Sequence, residues 1–174
     1  MALRVLQSGI FREGDEILVH PKLSKVKIES IIYNNKKIKT CFSPMSISFL
    51  ISEDVDISRG DLITKKNSLP KIAKEIEVTM CWLSETSLTL SKKYVFQRNS
   101  ELLNCKVTSI KYKYNIKDLS RNIINKDISV NDIFKCKIRL SKEISFDSFS
   151  QNKQTGSFIL IDDLNNTCGC GMIY

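Results

Sequence analysis

Apolar and polar residues alternate with a period of two along most of this chain. Ile76, Val78, Met80 and Trp82 are interleaved with Glu75, Glu77, Thr79 and Cys81. Phe134, Cys136, Ile138 and Leu140 are interleaved with Lys135, Lys137 and Arg139. Val26, Ile28, Ser30 and Ile32 alternate with Lys25, Lys27, Glu29 and Ile31, and Ile47, Phe49 and Ile51 with Ser46, Ser48 and Leu50. Successive side chains of a strand point to opposite faces, so each stretch predicts a strand with one face on a core and one in water. Trp82 ends such an apolar face and is expected to be buried. Turn residues punctuate the strands at Ser8-Gly9, Glu13-Gly14-Asp15, Asn34-Asn35, Ser43-Pro44, Arg59-Gly60-Asp61, Thr155-Gly156 and Asn165-Asn166. No segment sustains a helical period, and the best helical candidate, Ile116 to Ile124, is short. The pattern predicts an all-β chain of short strands, which form sandwiches or closed barrels.

A chain of 174 residues suits one ordinary domain or two small ones and buries a core without needing disulfides. The stretch Asn67-Ser68-Leu69-Pro70 divides it into 1–68 and 69–174. With 27 Lys and Arg against 19 Asp and Glu, the net charge is +8. Residues 1–68 carry 11 basic and 8 acidic side chains and residues 69–174 carry 16 and 11. The excess is thus spread over both parts and interleaved along strand faces, which favours solvated faces over a concentrated nucleic-acid patch. Lys111-Tyr112-Lys113-Tyr114 mixes basic and aromatic residues and could clamp single-stranded nucleic acid, although a lone tetrapeptide of this kind reads first as an amphipathic strand. At most weak, non-specific nucleic-acid binding is expected. No run approaches the roughly 18 apolar residues of a membrane helix. The N-terminal residues lack a charged leader before an apolar block, so no secretory signal and a cytoplasmic location are expected.

Candidate chemistry is sparse. One histidine, His20, leaves little room for imidazole-based acid–base or nucleophilic schemes. Before Pro21 it reads as an exposed loop residue. Gly9-Ile10-Phe11-Arg12-Glu13-Gly14 has the glycine spacing of a phosphate-binding loop, but Asp15-Glu16 follow where Lys and Ser or Thr are needed, so these glycines are expected to turn a hairpin. Gly169 and Gly171 are too few and too late for a dinucleotide fold. The six cysteines, at 41, 81, 105, 136, 168 and 170, are expected to be reduced, and Cys168-Gly169-Cys170 lacks the second pair of a zinc ribbon. No catalytic, cofactor-binding or metal-ligating residue is nominated.

Several segments nevertheless share a pattern. Ser8-Gly9 with Gly14-Asp15-Glu16, Glu53-Asp54-Val55-Asp56-Ile57-Ser58-Arg59-Gly60-Asp61-Leu62, Cys81-Trp82-Leu83-Ser84-Glu85, Tyr112 to Arg121, and Gln151-Asn152-Lys153-Gln154-Thr155-Gly156 through Thr167 occur in order. Together they resemble the C-terminal part of the GTPase (large) subunit of bacterial heterodimeric ATP sulfurylase, also called sulfate adenylyltransferase subunit 1. The Asp-Ile-Ser-Arg-Gly-Asp and Gln-Asn-x-x-Thr-Gly elements are the specific ones, since the hairpin alone suits any translation-type GTPase. Thr167-Cys168-Gly169-Cys170-Gly171 departs from the expected T-V-G-A-G, exchanging small residues for small residues.

The resemblance implies two antiparallel β-barrels like domains two and three of elongation factor Tu, over 1–68 and 69–174, with the first strand of the earlier barrel lacking. The family's GTP-binding domain has no counterpart in these residues, so GTP and magnesium are expected only on that missing domain. The implied partner is the small catalytic subunit, which makes adenylyl sulfate and pyrophosphate from sulfate and ATP while the large subunit hydrolyses GTP. No membrane contact is implied. Two alternatives stay open: a translation-factor barrel pair binding the acceptor end of aminoacylated RNA, and a free-standing β-barrel interaction module.

Overall fold

The computed structural model describes residues 2–6, 8–20, 22–58, 61–66, 70–118, 120–122 and 127–174. The chain is all-β, with fifteen strands and no helix among these residues, and it divides into two compact units, 1–71 and 72–174. The proposed break at Asn67 to Leu69 and the Arg59-Gly60 part of a proposed turn lie outside the described residues.

The first unit holds β1 (Ala2–Val5), β2 (Ile10–Arg12), β3 (Glu16–His20), β4 (Ser24–Tyr33), β5 (Lys36–Ile38), β6 (Thr40–Phe42), β7 (Ser46–Ile51) and β8 (Leu62–Lys65). The main sheet runs β1-β7-β4-β3-β8, with β5 beside β4, and β2 pairs separately with β6. The β1–β2 segment therefore lies antiparallel to β6–β7, bending at Gly9 on one side and at Ser43-Pro44 on the other. Asn34 and Asn35, both at positive φ, make the tight turn between β4 and β5. The core joins Phe11, Ile17, Val19, Val26, Ile28, Ile31, Ile47 and Phe49.

The second unit holds β9 (Lys71–Trp82, all but its first residue), β10 (Tyr94–Arg98), β11 (Glu101–Tyr114), β12 (Arg121–Asn122), β13 (Ile133–Phe146), β14 (Ser157–Ile161) and β15 (Thr167–Ile173). Its sheet runs β10-β14-β15-β9-β13-β11, and β11 pairs again with β10, so six strands close on themselves. The interior is filled from all six of these strands: Ile76, Val78, Met80 and Trp82 from β9, Phe96 from β10, Val107 from β11, Phe134, Cys136, Ile138 and Leu140 from β13, Phe158 and Leu160 from β14, and Cys168 and Ile173 from β15. The alternation assigned from sequence to 76–82 and 134–140 is the alternation the barrel uses. Trp82 is buried, donates its indole N–H to the Thr86 carbonyl at 2.8 Å, and meets the Tyr94 ring edge-on.

Two assignments need correction. Ile31, not Ile32, continues the inner face of β4, because a register irregularity between Ile28 and Ser30 against β7 advances the strand by one residue. The glycines at 9 and 14 do turn the chain, yet β2 and β3 lie in different sheets rather than forming a hairpin with each other. As for the weak helical candidate, Ile116–Asp118 form a turn and Arg121–Asn122 pair with the end of β11, while Leu119 and residues 123–126 lie outside the described residues.

Removing the indole leaves a cavity in a closed interior. Trp82→Ala should lose roughly 3–5 kcal/mol, seen as a lower denaturant midpoint, and the wild-type emission should be blue-shifted. An unchanged midpoint would mean that the β9 register is wrong. Among the described residues β1 and β8 have one strand partner each, and edge amides open through low-energy fluctuations. Hydrogen exchange should be faster at 2–5 and 62–65 than at 134–140; equal protection would contradict the open path of the first sheet.

Candidate functional site

The Gly9–Gly14 segment does not fit a phosphate. Gly9 and Gly14 sit at φ +80° and +88°, where glycine carries no steric cost. A phosphate loop presents free backbone N–H groups, but here those of Glu13, Gly14 and Asp15 donate to the carbonyls of Lys39, Ile28 and Arg12. The Asp15 carboxylate accepts the Arg12 N–H at 2.9 Å and pairs with Lys65 at 2.9 Å. Burial acts to raise its pKa, but Lys65 and the Arg12 N–H outweigh that and hold it below the usual carboxylate value.

His20 is not the exposed loop residue expected. It is the last residue of β3, 1% exposed, with Nε2 2.8 Å from Thr64 Oγ1 on neighbouring β8. Nδ1 is buried without a partner among the described residues. Burial lowers its pKa and favours the neutral ring. Its neighbour in sequence, Pro21, lies outside the described residues. The signal available in the sequence was the apolar run Ile17-Leu18-Val19 leading directly into it.

All six cysteines are free. Burial pushes the thiols of Cys105 and Cys136 up to about 12 and that of Cys168 up to about 11. No group of three or more His, Cys, Asp or Glu among the described residues is placed to hold a metal ion. Gly169 and Gly171 lie on β15 opposite Trp82 and Met80. A Cβ on Gly171 would come 2.6 Å from the Phe158 ring, so these glycines make room for large side chains of the interior.

The outer face of the second unit has two regions of different chemistry. On β9, β13 and β11, Glu77 pairs with both Lys111 and Lys135, Glu75 with Lys137 and Arg139, and Asp132 with Lys113. The Lys111 and Lys135 ammonium groups hold the Glu77 carboxyl below its ordinary value. Tyr112 and Tyr114 pack edge-to-face at 5.2 Å, and the Arg121 guanidinium covers the Tyr112 ring. The lysines of the Lys-Tyr-Lys-Tyr stretch are therefore paired and its rings already engaged, which removes the main features of a base-stacking platform.

Across β9, β15, β14 and β10 the outer face is instead a groove of about 550 Å³. Cys81, Cys170, Ile159 and Gln97 form one cross-strand row, and Thr79, Met172 and Ser157 the next. Phe149 reaches it from the loop before β14. An apolar patch edged by polar groups such as Gln97, Asn99 and Ser157 has the composition of a protein-binding surface.

The loop that carries Phe149 contains the Gln-Asn-x-x-Thr-Gly element, whose groups are spent on folding it. Gln151 Oε1 accepts from the Ser148 N–H and hydroxyl, Asn152 Oδ1 accepts the Gln154 N–H, and the buried Thr155 hydroxyl donates to Asp147 at 3.0 Å. Arg98 donates to the carbonyls of Ser145 and Thr155 and pairs with buried Glu101 at 2.9 Å. This arrangement offers no group for bond-making chemistry and fixes one wall of the groove.

Residues 75–174 match the family described as GTP-eEF1A C-terminal domain-like. Sulfate adenylyltransferase subunit 1 of Sulfurovum sp. is 32% identical over 97% of this chain and 37% of its own length. The bifunctional enzyme CysN/CysC of Mycobacterium tuberculosis is 31% identical over 95% of this chain and 27% of its own length. The chain thus spans about a third of the length of these relatives. The crystal structure of sup35 complexed with GDP superposes with a TM-score of 0.87 over 98% of this chain and 42% of that one, at 13% identity, which establishes a shared fold. Among the described residues, no helix is long and apolar enough to cross a membrane.

Gly156 packs against the backbone of Ser148 and Phe149, and a Cβ there would collide with the Phe149 Cα and N. Backbone cannot rotate away, so Gly156→Ala should cost roughly 1–3 kcal/mol, the usual penalty of overpacking. Thermal melting checks this, and a melting temperature within error of wild type would show that the loop is not held as described.

Proposed function

We propose that this chain, which belongs to the GTP-eEF1A C-terminal domain-like family, is the non-catalytic two-barrel part of a sulfate adenylyltransferase subunit 1. The observation that carries this reading is the 32% identity to such a subunit over 97% of the chain, a match that runs through both units. The 13% identity to sup35 carries the fold alone.

In the reaction this implies, a small catalytic subunit joins sulfate to the adenylyl group of ATP and releases pyrophosphate, and GTP hydrolysis elsewhere on the large subunit drives that unfavourable step. Guanine nucleotide and magnesium belong to a GTP-binding part of such a subunit. The residues of this chain do not fit them, because the one glycine-spaced segment has its N–H groups spent and a carboxylate at its end. The barrels carry contacts within the heterodimer, and the groove of the second unit has the composition suited to one. A cytoplasmic location follows from the same reading.

Titration with the small subunit of a sulfate adenylyltransferase tests the proposal. A stoichiometric complex should form and survive gel filtration, and Ile159→Lys, which places a charge in the groove, should weaken it at least tenfold. A fluorescent GTP analogue should give no saturable signal at micromolar protein. Transfer RNA should bind weakly and lose affinity steeply as salt rises. No complex with the small subunit, together with tight binding that prefers aminoacylated RNA, would replace this reading with that of a translation-type barrel pair.

A further inference from the structure

We propose that Cys81 and Cys170 form a two-thiol modification site on the outer face of the second unit, which low-molecular-weight disulfides oxidise to an intrachain disulfide joining β9 to β15. The register makes these residues direct cross-strand partners. Backbone bonds at both ends of the ladder fix the kind of pair. The Leu83 N–H donates to the Cys168 carbonyl at 2.9 Å and the Tyr174 N–H to the Glu77 carbonyl at 3.2 Å. Hydrogen-bonded pairs recur at every second residue of an antiparallel ladder, so Cys81 and Cys170 are one of them. Such pairs have Cα atoms about 5.5 Å apart, inside the roughly 4.4–6.8 Å window of disulfides. Their Cβ atoms stand near the wide end of the cross-strand range, about 5.5 Å, so closure draws the two strands together locally to reach the roughly 3.5–4.5 Å of a disulfide. Both side chains lie on the same face of the sheet and line the groove.

Accessibility separates this pair from the other thiols. Cys41, Cys105, Cys136 and Cys168 are buried, whereas Cys81 and Cys170 are part-exposed. Cys168, two residues from Cys170, belongs to the barrel interior, because the register shifts against β14 between Leu160 and Ile161. Burial, and then the neighbouring Cys170, raise the Cys81 pKa, so the thiol is not a fast nucleophile. What favours closure is that the second thiol is already in place.

The chemistry balances by two exchanges. One protein thiolate attacks a sulfur of the small disulfide, breaking its S–S bond, releasing one small thiol and leaving a mixed disulfide. The second protein thiolate attacks the protein sulfur of that mixed disulfide and releases the other small thiol. The two protein thiols give up two electrons and two protons, and the reagent leaves as two thiols.

Dithiodipyridine tests this on the whole chain. The folded wild type should release two thiopyridone equivalents, keep no adduct mass, and fall from six free thiols to four when counted after denaturation. Peptide mapping should join Cys81 to Cys170. Cys81→Ser and Cys170→Ser should each release one equivalent and keep one adduct, with unchanged Trp82 emission reporting an intact barrel. The wild-type result stands whether or not the variants fold. Absence of reaction, stable adducts on both cysteines, a link to Cys168 or a link between chains would each overturn the proposal.

Discussion

The pairing of β10 with β11 as well as with β14 is the constraint on which the second unit rests. It turns a sheet into a barrel, and a barrel has an interior of fixed volume. Large residues on one strand then require small ones opposite, as Trp82 and Met80 face Gly169 and Gly171 across β9 and β15. Closure also buries the two residues that flank the exposed β10–β11 turn, Arg98 and Glu101, 5% and 7% exposed. A buried ion pair is costly unless its remaining groups are satisfied. Here the carbonyls of Ser145 and Thr155 accept from Arg98, and Lys142 pairs with the second Glu101 oxygen at 3.1 Å. The same guanidinium thereby ties the closing hairpin to β13 and to the loop before β14.

Closure decides where this unit can meet a partner. The six closed strands offer no free edge to recruit another strand, so recognition on the barrel wall must use outward side chains. These divide by strand: β9, β13 and β11 carry the Glu-Lys-Arg ladder, and β15, β14 and β10 carry Cys170, Met172, Ile159 and Gln97 around the groove. The ladder engages five of the sixteen basic side chains of residues 69–174 in pairs that are worth little individually. Its effect is to leave fewer unpaired cations for phosphate, while the groove supplies apolar area. In the first unit, by contrast, β1 and β8 each retain an edge among the described residues.

Much of this architecture was legible as period two, because a barrel strand repeats its environment every second residue. The inner rows 76–82 and 134–140 follow directly. The reading failed where backbone geometry breaks the period. In β4 an irregular register hands the core position from Ile32 to Ile31, and no residue type in Glu29-Ser30-Ile31 signals it. His20 was misplaced because a proline after it suggested a loop, whereas burial depends on β8, more than forty residues away, whose Thr64 meets the ring. The ion pairs of Lys111 and Lys113 were equally out of reach, since Glu77 and Asp132 come from other strands. The juxtaposition of Cys81 with Cys170 needs the β9–β15 register, which eighty-odd intervening residues conceal.

The segments on which the sequence resemblance was read use their side chains to hold their own loops. Gln151, Asn152 and Thr155 spend their polar groups on one another's loop, and Gly156 has no room for a side chain. The described part of the Asp-Ile-Ser-Arg-Gly-Asp element behaves alike, with Asp61 accepting the Ser58 N–H at 2.8 Å. Such motifs are informative about fold because a replacement breaks a hydrogen bond that shapes the loop or, at Gly156, forces a clash. They are silent about chemistry for the same reason: a side chain fully engaged in holding a loop has nothing left to offer a substrate. Function in a chain of this kind is therefore to be sought at positions that the fold leaves unconstrained. Here those are the outward row Cys81, Cys170, Ile159 and Gln97, where the barrel fixes the spacing of four side chains without dictating what they are.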